Sequence, residues 1–316
     1  MRILRHTSNA PPEVLGSVIT LGNFDGVHHG HRAVLEEAKR QAKTLSTACG
    51  VLTFEPHPRS FFFPDAPPFR LTSLRDKAHA IESLGIDFLI VQHFDAAFAA
   101  WSAETFVRRA LVEDLQVAHV VTGYDFRFGK GRKGDAEMLK TLAGQFGFTY
   151  TAVSPVTAKE EPYSSTKIRT LLQNGEPAKA AAMLGHYWEI EGRVEAGSGL
   201  GHELGFPTAN IALGDHLQPK LGIYAVRAGI DEGAETVWRD GAGYFGTRPT
   251  FSGAGLFFEV YFFDGNPDLY GKHLRVRLIG YLREDTTFED AETLQHQMTE
   301  DVARAREVLA KAGDPA

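Results

Sequence analysis

SVITLGNFDGVHHGHRAVLEEAKRQAKTL, residues 17–45, decides how the first half of the chain is read. SVITL (17–21) is a short apolar run of the kind that forms a buried strand. HRAVLEEAKRQAKTL (31–45) carries its apolar residues at helical spacing. Between them LGNFDGVHHGH (21–31) turns the chain, with Gly22, Gly26 and Gly30 permitting tight turns and close approach by a ligand. A strand running through such a turn into a helix offers free backbone N–H groups at the positive end of the helix dipole, which suits phosphate. His28 and His31 are three apart at the helix start and so share a face. Two imidazoles placed there can donate hydrogen bonds to the oxygens of a phosphorus atom under attack. A histidine pair that merely caps a surface helix is the plainer alternative. A zinc site would need third and fourth ligands that the sequence does not offer.

The pattern continues outward from this stretch. ACGVLTF (48–54), DFLIV (87–91) and AHVVTG (118–123) are further short apolar runs bounded by turn residues. TSLRDKAHAIESLG (72–85) and SAETFVRRALVEDL (102–115) show helical spacing, each opening on a hydroxyl residue able to cap. Strand alternating with helix predicts a parallel sheet with helices on both faces. Ligands of such sheets sit beyond the carboxyl ends of the strands. Two more chemically loaded segments lie there: TFEPHP (53–58), and GYDFRFGKGRKGD (123–135) with Arg127, Lys130, Arg132 and Lys133. SSTKIR (164–169) puts hydroxyls at a helix start with Arg169 one turn in, and a second helix follows the break at Asn174–Gly175. FFFPDAPPFR (61–70) reads as a loop whose phenylalanines are too apolar to face water without a purpose.

Beyond Tyr187 the character changes. YWEIEGRVEAG, GIYAVRAGI, LFFEVYFF and HLRVRLIGYL are strand-like, predicting an antiparallel barrel or sandwich, and a helix is expected from Phe288 to about Lys311. The expected domains are therefore 1–185 and 186–316. GSGLGHELGFPTAN (197–210) is neither a Walker loop nor a Rossmann fingerprint, since no Gly-Lys-Ser/Thr and no helix follow it. A glycine-rich turn between strands can still cradle phosphates with its N–H groups. Thr208 and Asn210 fall on the same side of an extended segment and offer the oxygen ligands that Mg²⁺ accepts beside nucleotide phosphates. Glu259 interrupts the apolar run LFFEVYFF (256–263). By alternation it shares a face with Phe257 and Tyr261, and the sequence leaves open which face is inward.

Composition narrows the class. The 316 residues carry 33 Lys+Arg against 40 Asp+Glu, a formal net charge of -7, and a hydrophobic fraction of 43%. This is a globular chain, not a disordered one. Its acidity argues against a general nucleic-acid binder. The one cysteine, Cys49, excludes a disulfide scaffold. No apolar run reaches the roughly 18 residues of a membrane helix. A soluble cytoplasmic protein is expected, without nucleic-acid or membrane partners and with at most weak self-association.

Taken in order, GNFDGVHHGH, TFEPHP, Leu71–Thr72, GYDFRFGKGRKGD, SSTKIR, LGFPTAN, GIYAV, FGTRPTF, Glu259, DLYGK (268–272) and LREDTTF (282–288) resemble the prokaryotic bifunctional riboflavin kinase/FMN adenylyltransferase (FAD synthetase) family almost end to end. The resemblance implies a Rossmann-like nucleotidyltransferase domain followed by a β-barrel kinase domain. It implies ATP as co-substrate, Mg²⁺, riboflavin and FMN as substrates, and FMN and FAD as products. In the first half, His28 and His31 would hold the ATP phosphates. Gly22, Phe24, Asp25 and Asp125 would line the nucleotide site, and Ser165, Thr166 and Arg169 would close over the phosphates. Pro56, Pro58, Phe62 and Phe128 would meet the flavin. In the second half, Gly199, Gly201, Thr208 and Asn210 would hold Mg²⁺–ATP, and Glu259 would take the proton from the ribityl hydroxyl. The chain departs from the family at Leu200 and His202, where arginine is usual, and at Tyr244, where asparagine is usual. Two alternatives stand beside the bifunctional expectation: an adenylyltransferase with an impaired kinase domain, and a non-catalytic flavin-binding regulator.

Overall fold

The structure is a computed structural model that describes residues 1–158, 161–195, 205–232, 235–250, 253–265 and 269–313. The chain divides into two compact units, Met1–Ala66 with Leu74–Ser164, and Pro67–Ser73 with Ser165–Ala316. No helix among the described residues is long and apolar enough to cross a membrane.

The first unit is built on six strands, β1 (Arg2–Leu4), β2 (Val18–Leu21), β3 (Cys49–Glu55), β4 (Phe88–His93), β5 (His119–Gly123) and β6 (Thr149–Val153). They lie in the order β1-β4-β3-β2-β5-β6, and every pairing is parallel. All four residues of β2 are buried, as expected of a central strand covered on both faces. Alternation sorts the core into two layers. Val18, Val51, Leu89 and Val121 meet Val34, Leu35 and Ala38 of α1 (His29–Leu45) and Ile81 of α3 (Leu74–Ser83), which follows the short α2 (Pro58–Phe62). Ile19, Leu52, Ile90 and Val120 meet the opposite layer. After α4 (Ala96–Ala99), that layer is formed by α5 (Ala103–Phe106), its π-helical continuation over Val107–Asp114, and α6 (Ala136–Phe146). Ser102 caps α5 and Asp135 caps α6, each accepting a backbone N–H three residues on. A two-stranded ribbon, β7 (Thr157–Ala158) and β8 (Glu161–Pro162), closes the unit. The strand order reverses at β2, between β3 on one side and β5 on the other, and this creates a crevice beyond the strand ends.

His119 is buried in β5. Its Nδ1 lies 2.6 Å from Thr149 Oγ1 and its Nε2 3.1 Å from Thr151 Oγ1. Thr149 gives its own hydroxyl proton to the Ala118 carbonyl, so it accepts Nδ1–H, and Nε2 accepts from Thr151. Burial holds the pKa of His119 below the usual histidine value, against the pull of Glu37. The unfolded chain then takes up this proton first as pH falls below about 6.5. The contribution is present above that pH and lost below it. Acidification from pH 7.5 to 5.5 should therefore lower the Tm, and His119→Gln should reduce that pH dependence. Equal slopes for wild type and variant would refute this.

The second unit is a closed antiparallel barrel. After α7 (Ser165–Gln173) and α8 (Pro177–Leu184) come β9 (Glu189–Glu195), β10 (Thr208–Ala212), β11 (Gly222–Glu232), β12 (Glu235–Thr250), β13 (Gly253–Phe262) and β14 (His273–Arg283). Their order around the barrel is β10-β13-β12-β11-β14-β9, and β9 pairs with β10 to close it. Val226, Phe245, Phe258, Val260 and Val276 are among the fully buried side chains of these strands. Helix α9 (Ala291–Lys311) packs Ala305 and Leu309 against Ala225, Ile279 and Leu282. Asp290 caps it, so the helix starts after the expected Phe288. The short segment Pro67–Ser73 is built into this unit. Leu71 accepts the Trp188 indole N–H at 2.7 Å, and Arg70 accepts the Leu217 N–H at 2.8 Å.

Candidate active sites

In the first unit the loop leaving β2 is tightly held. Gly22 follows the strand, and Phe24, Asp25, Val27 and His28 are all buried. Phe24 and Val27 take left-handed backbone angles, φ 49 and 42, which non-glycine residues adopt mainly where the surroundings enforce it. His28 is the N-cap of α1, and its Nδ1 accepts the His31 N–H at 3.3 Å. That bond leaves the neutral ring's proton on Nε2, which becomes a donor. The His28 and His31 rings stack, 3.7 Å between centroids and 17° between planes, and Phe24 leans on His31 at 5.2 Å. The two histidines expected to share a face therefore meet beside the crevice where the strand order reverses.

Gly30 makes this stack possible. A Cβ at position 30 would lie 3.0 Å from His28 Cε1 and 3.1 Å from Nδ1. Gly30→Ala gains up to about 1 kcal/mol of helix propensity, but it crowds the capping Nδ1 of His28 and puts the N-cap at risk, so thermal stability should change by no more than about 1 kcal/mol in either direction. The same change should displace the His28 ring and cut transfer at this site by roughly tenfold or more. Thermal melts together with FAD formation from supplied FMN check that activity falls far more than stability. A fully active variant would exclude it.

The neighbouring strand ends frame the crevice. After β3, His57 caps α2 by accepting the Arg59 N–H at 3.1 Å, with Pro58 in the first turn and Glu55–Pro56 in the cis form. The stretch expected to be a loop from residue 61 thus begins inside a short helix. Phe62 is 57% exposed and lies edge-on to Phe61 and Phe94. Phe128, by contrast, is 7% exposed and packs between Phe106 and a stacked Phe126. After β5, Asp125 is exposed, and its Oδ1 lies 3.3 Å from where a Cβ on Gly123 would stand. Arg127 pairs with Asp135 at 3.1 Å, while Lys130, Arg132 and Lys133 are exposed. Sequence reasoning passed over Lys77, which is 2% exposed with Nζ 3.4 Å from Thr53 Oγ1 and 3.9 Å from Glu55 Oε1. Its signal was position, a cation on the same helical stripe as Leu74, Ala78 and Ile81. Ser165, Thr166 and Arg169 open α7 and belong to the second unit. There Arg169 donates Nε to the Phe69 carbonyl at 2.8 Å and lies over the Phe69 ring.

In the second unit the open question of Glu259 is resolved by register. Phe258 and Val260 are fully buried, so Glu259 points to the outer face. It stands opposite Asn210 on β10 and opposite Tyr244 on β12. Thr208 Oγ1 donates to Glu259 Oε2 at 3.4 Å, and Asn210 is 8% exposed. A hydroxyl, an amide and a carboxylate thus converge on one patch, a donor set of oxygens that suits a hard divalent cation. Gly199, Leu200, Gly201 and His202 lie outside the described residues.

Comparison with known proteins bears on both units. Residues 11–167 match the FAD synthetase family and residues 184–309 match the riboflavin kinase family. The bifunctional riboflavin kinase/FMN adenylyltransferase of Escherichia coli is 38% identical over 307 residues, covering 97% of this chain and 96% of its own. The chain belongs to this bifunctional family. Members from Haemophilus influenzae (36% identical, 97% of this chain and 98% of its own) and Pseudomonas fluorescens (38%, 98% of each) align just as fully. A crystal structure of a macrolide-efflux protein from Streptococcus pneumoniae superposes with a TM-score of 0.84 at 27% identity, over 98% of this chain and 99% of that one. The resemblance read from the ordered motifs therefore holds, as does the expected pairing of a parallel-sheet domain with an antiparallel barrel.

Proposed function

We propose that this member of the family makes FMN from riboflavin and ATP on the barrel, and FAD from FMN and ATP on the parallel-sheet unit. One observation supports the reading: each compact unit holds its own cluster of groups of the kind that can handle phosphate. The stacked His28–His31 pair lies in one, and the Thr208–Asn210–Glu259 patch in the other.

On the barrel, Glu259 accepts the proton of the terminal ribityl hydroxyl as that oxygen attacks the γ-phosphorus. The bond between the γ-phosphorus and the bridging oxygen breaks, and ADP leaves. Thr208 and Asn210 would hold Mg²⁺ with the ATP phosphates, where the ion supplies charge neutralisation. Transfer of this kind is mostly positioning and electrostatics, which a patch of fixed oxygens on a rigid barrel provides. On the sheet unit, an FMN phosphate oxygen attacks the α-phosphorus and pyrophosphate leaves. His28 donates from Nε2 to the α-phosphate oxygens, and His31 supports it through the ring stack. Gly22, Phe24, Asp25 and Asp125 line the nucleotide side, and the exposed Phe62 is the best-placed ring for the flavin. The functional division is placed near residue 185.

Incubation with riboflavin, ATP and Mg²⁺, with products separated over time, tests the reading. FMN should appear first and FAD after it, with pyrophosphate released in step with FAD. FMN supplied directly but left unchanged would remove the second activity, and riboflavin left unchanged would remove the first. Cys49 is buried, and its thiol is pushed up to about 12 by burial and by Asp87, so it is inert in either reaction. A single thiol in this state suits a reducing compartment, and we place the enzyme in the cytoplasm.

A further inference from the structure

Tyr244 stands opposite Glu259 on the outer face of the barrel. Its ring folds back along β12 over Gly246. A Cβ at 246 would lie 2.2 Å from both the Tyr244 Cζ and the phenol oxygen, so this ring position requires glycine there. Phe257, opposite Gly246 in the register, meets the Tyr244 ring edge-on at 5.6 Å and 78°. The phenol donates to Asp285 Oδ2 at 2.7 Å.

Asp285 is itself placed by a held segment. Arg283 makes a paired contact with Asp301 of α9, Nε to Oδ1 at 2.9 Å and Nη2 to Oδ2 at 2.7 Å. It also donates from Nη1 to the Glu284 carbonyl at 2.8 Å. Lys220 pairs with Glu284 at 2.9 Å, and Asp285 Oδ1 accepts the Thr286 N–H at 2.9 Å. The carboxylate thus reaches Tyr244 from a segment anchored to both the barrel and α9.

Glu259 consequently has two unlike flanks. On one side lie a hydroxyl and an amide, suited to a cation and phosphates. On the other the Tyr244 and Phe257 rings stand edge to face, an aromatic corner suited to a planar apolar partner. We propose that Tyr244, laid flat over Gly246 and tied by Asp285, is a positioning residue that seats the ring system of the acceptor riboflavin beside Glu259. This rests on the kinase reading above. Asparagine, the residue expected here from the family resemblance, has no ring to present and is too short to span from Gly246 to Asp285.

Tyr244→Phe removes the tie and keeps the ring, Asp285→Ala removes its acceptor, and Tyr244→Asn removes the ring. Equilibrium riboflavin binding, followed by quenching of its fluorescence, is measured beside steady-state FMN formation. Tyr244→Phe and Asp285→Ala should each raise the riboflavin Kd and KM about three- to tenfold, with kcat and the KM for ATP within about twofold. The double variant should be no worse than either single one, because both act on one bond. Tyr244→Asn should exceed both, and FAD formation from supplied FMN should be unchanged in all three. Wild-type riboflavin binding in Tyr244→Asn overturns the proposal, as does a change confined to the KM for ATP or strict additivity in the double variant. If the wild-type protein makes no FMN yet binds riboflavin in a Tyr244-dependent way, the seat stands and the kinase reading falls. If it does not bind riboflavin at all, the seat falls too.

Discussion

Glu259→Gln is expected to reduce FMN formation by about 10²–10⁴-fold, the usual cost of losing a general base. Conversion of supplied FMN to FAD should stay at the wild-type rate. The substitution keeps shape and removes only basicity. Thr208 Oγ1, 3.4 Å from the carboxylate, can still donate to the amide oxygen. The side chain lies on the outer face, away from the packed Phe258 and Val260, so the barrel should melt unchanged. A kinase rate within a few-fold of wild type would remove Glu259 from its role. A parallel fall in both activities would point to damage of the fold instead.

The mirror lesion lies in the other unit and needs a more careful choice of residue, because His28 has two tasks. Its Nδ1 caps α1, and its Nε2 is the atom proposed to serve the transfer. His28→Ala removes both, with a stability loss of about 0.5–2 kcal/mol from the missing cap. His28→Asn keeps a good capping side chain and removes only the imidazole. FAD formation should fall in both variants by about 10²–10³-fold, the scale of one lost donor to a developing oxyanion, while FMN formation persists. Only the alanine variant should lose thermal stability. Unimpaired FAD formation in His28→Asn would show that the ring serves the helix alone.

Much of this was legible in the chain, for identifiable reasons. The central strands of the first unit are buried on both faces, so each reads as an unbroken apolar run, and His28 and His31 follow from helical spacing alone. The side on which Glu259 lies was not legible, because both faces of β13 are aromatic: Phe257 and Tyr261 on one, Phe258 on the other. Strand β12 escaped notice for a related reason. Its inward positions include Gly241 and Gly243, and at the latter the Phe258 ring lies 2.6 Å from where a Cβ would stand. Glycine at core positions erases the alternation that marks a strand. Lys77 and the placement of Pro67–Ser73 depend on contacts distant in sequence, which no local pattern encodes.

That last segment bears on how the polypeptide can be cut. A fragment starting at residue 165 would carry every barrel strand, yet its Trp188 indole would lose the Leu71 carbonyl and its Leu217 amide the Arg70 carbonyl. Dissection at one point therefore yields an orphaned C-terminal piece. Restoring those two acceptors means grafting seven residues from the front of the gene onto it.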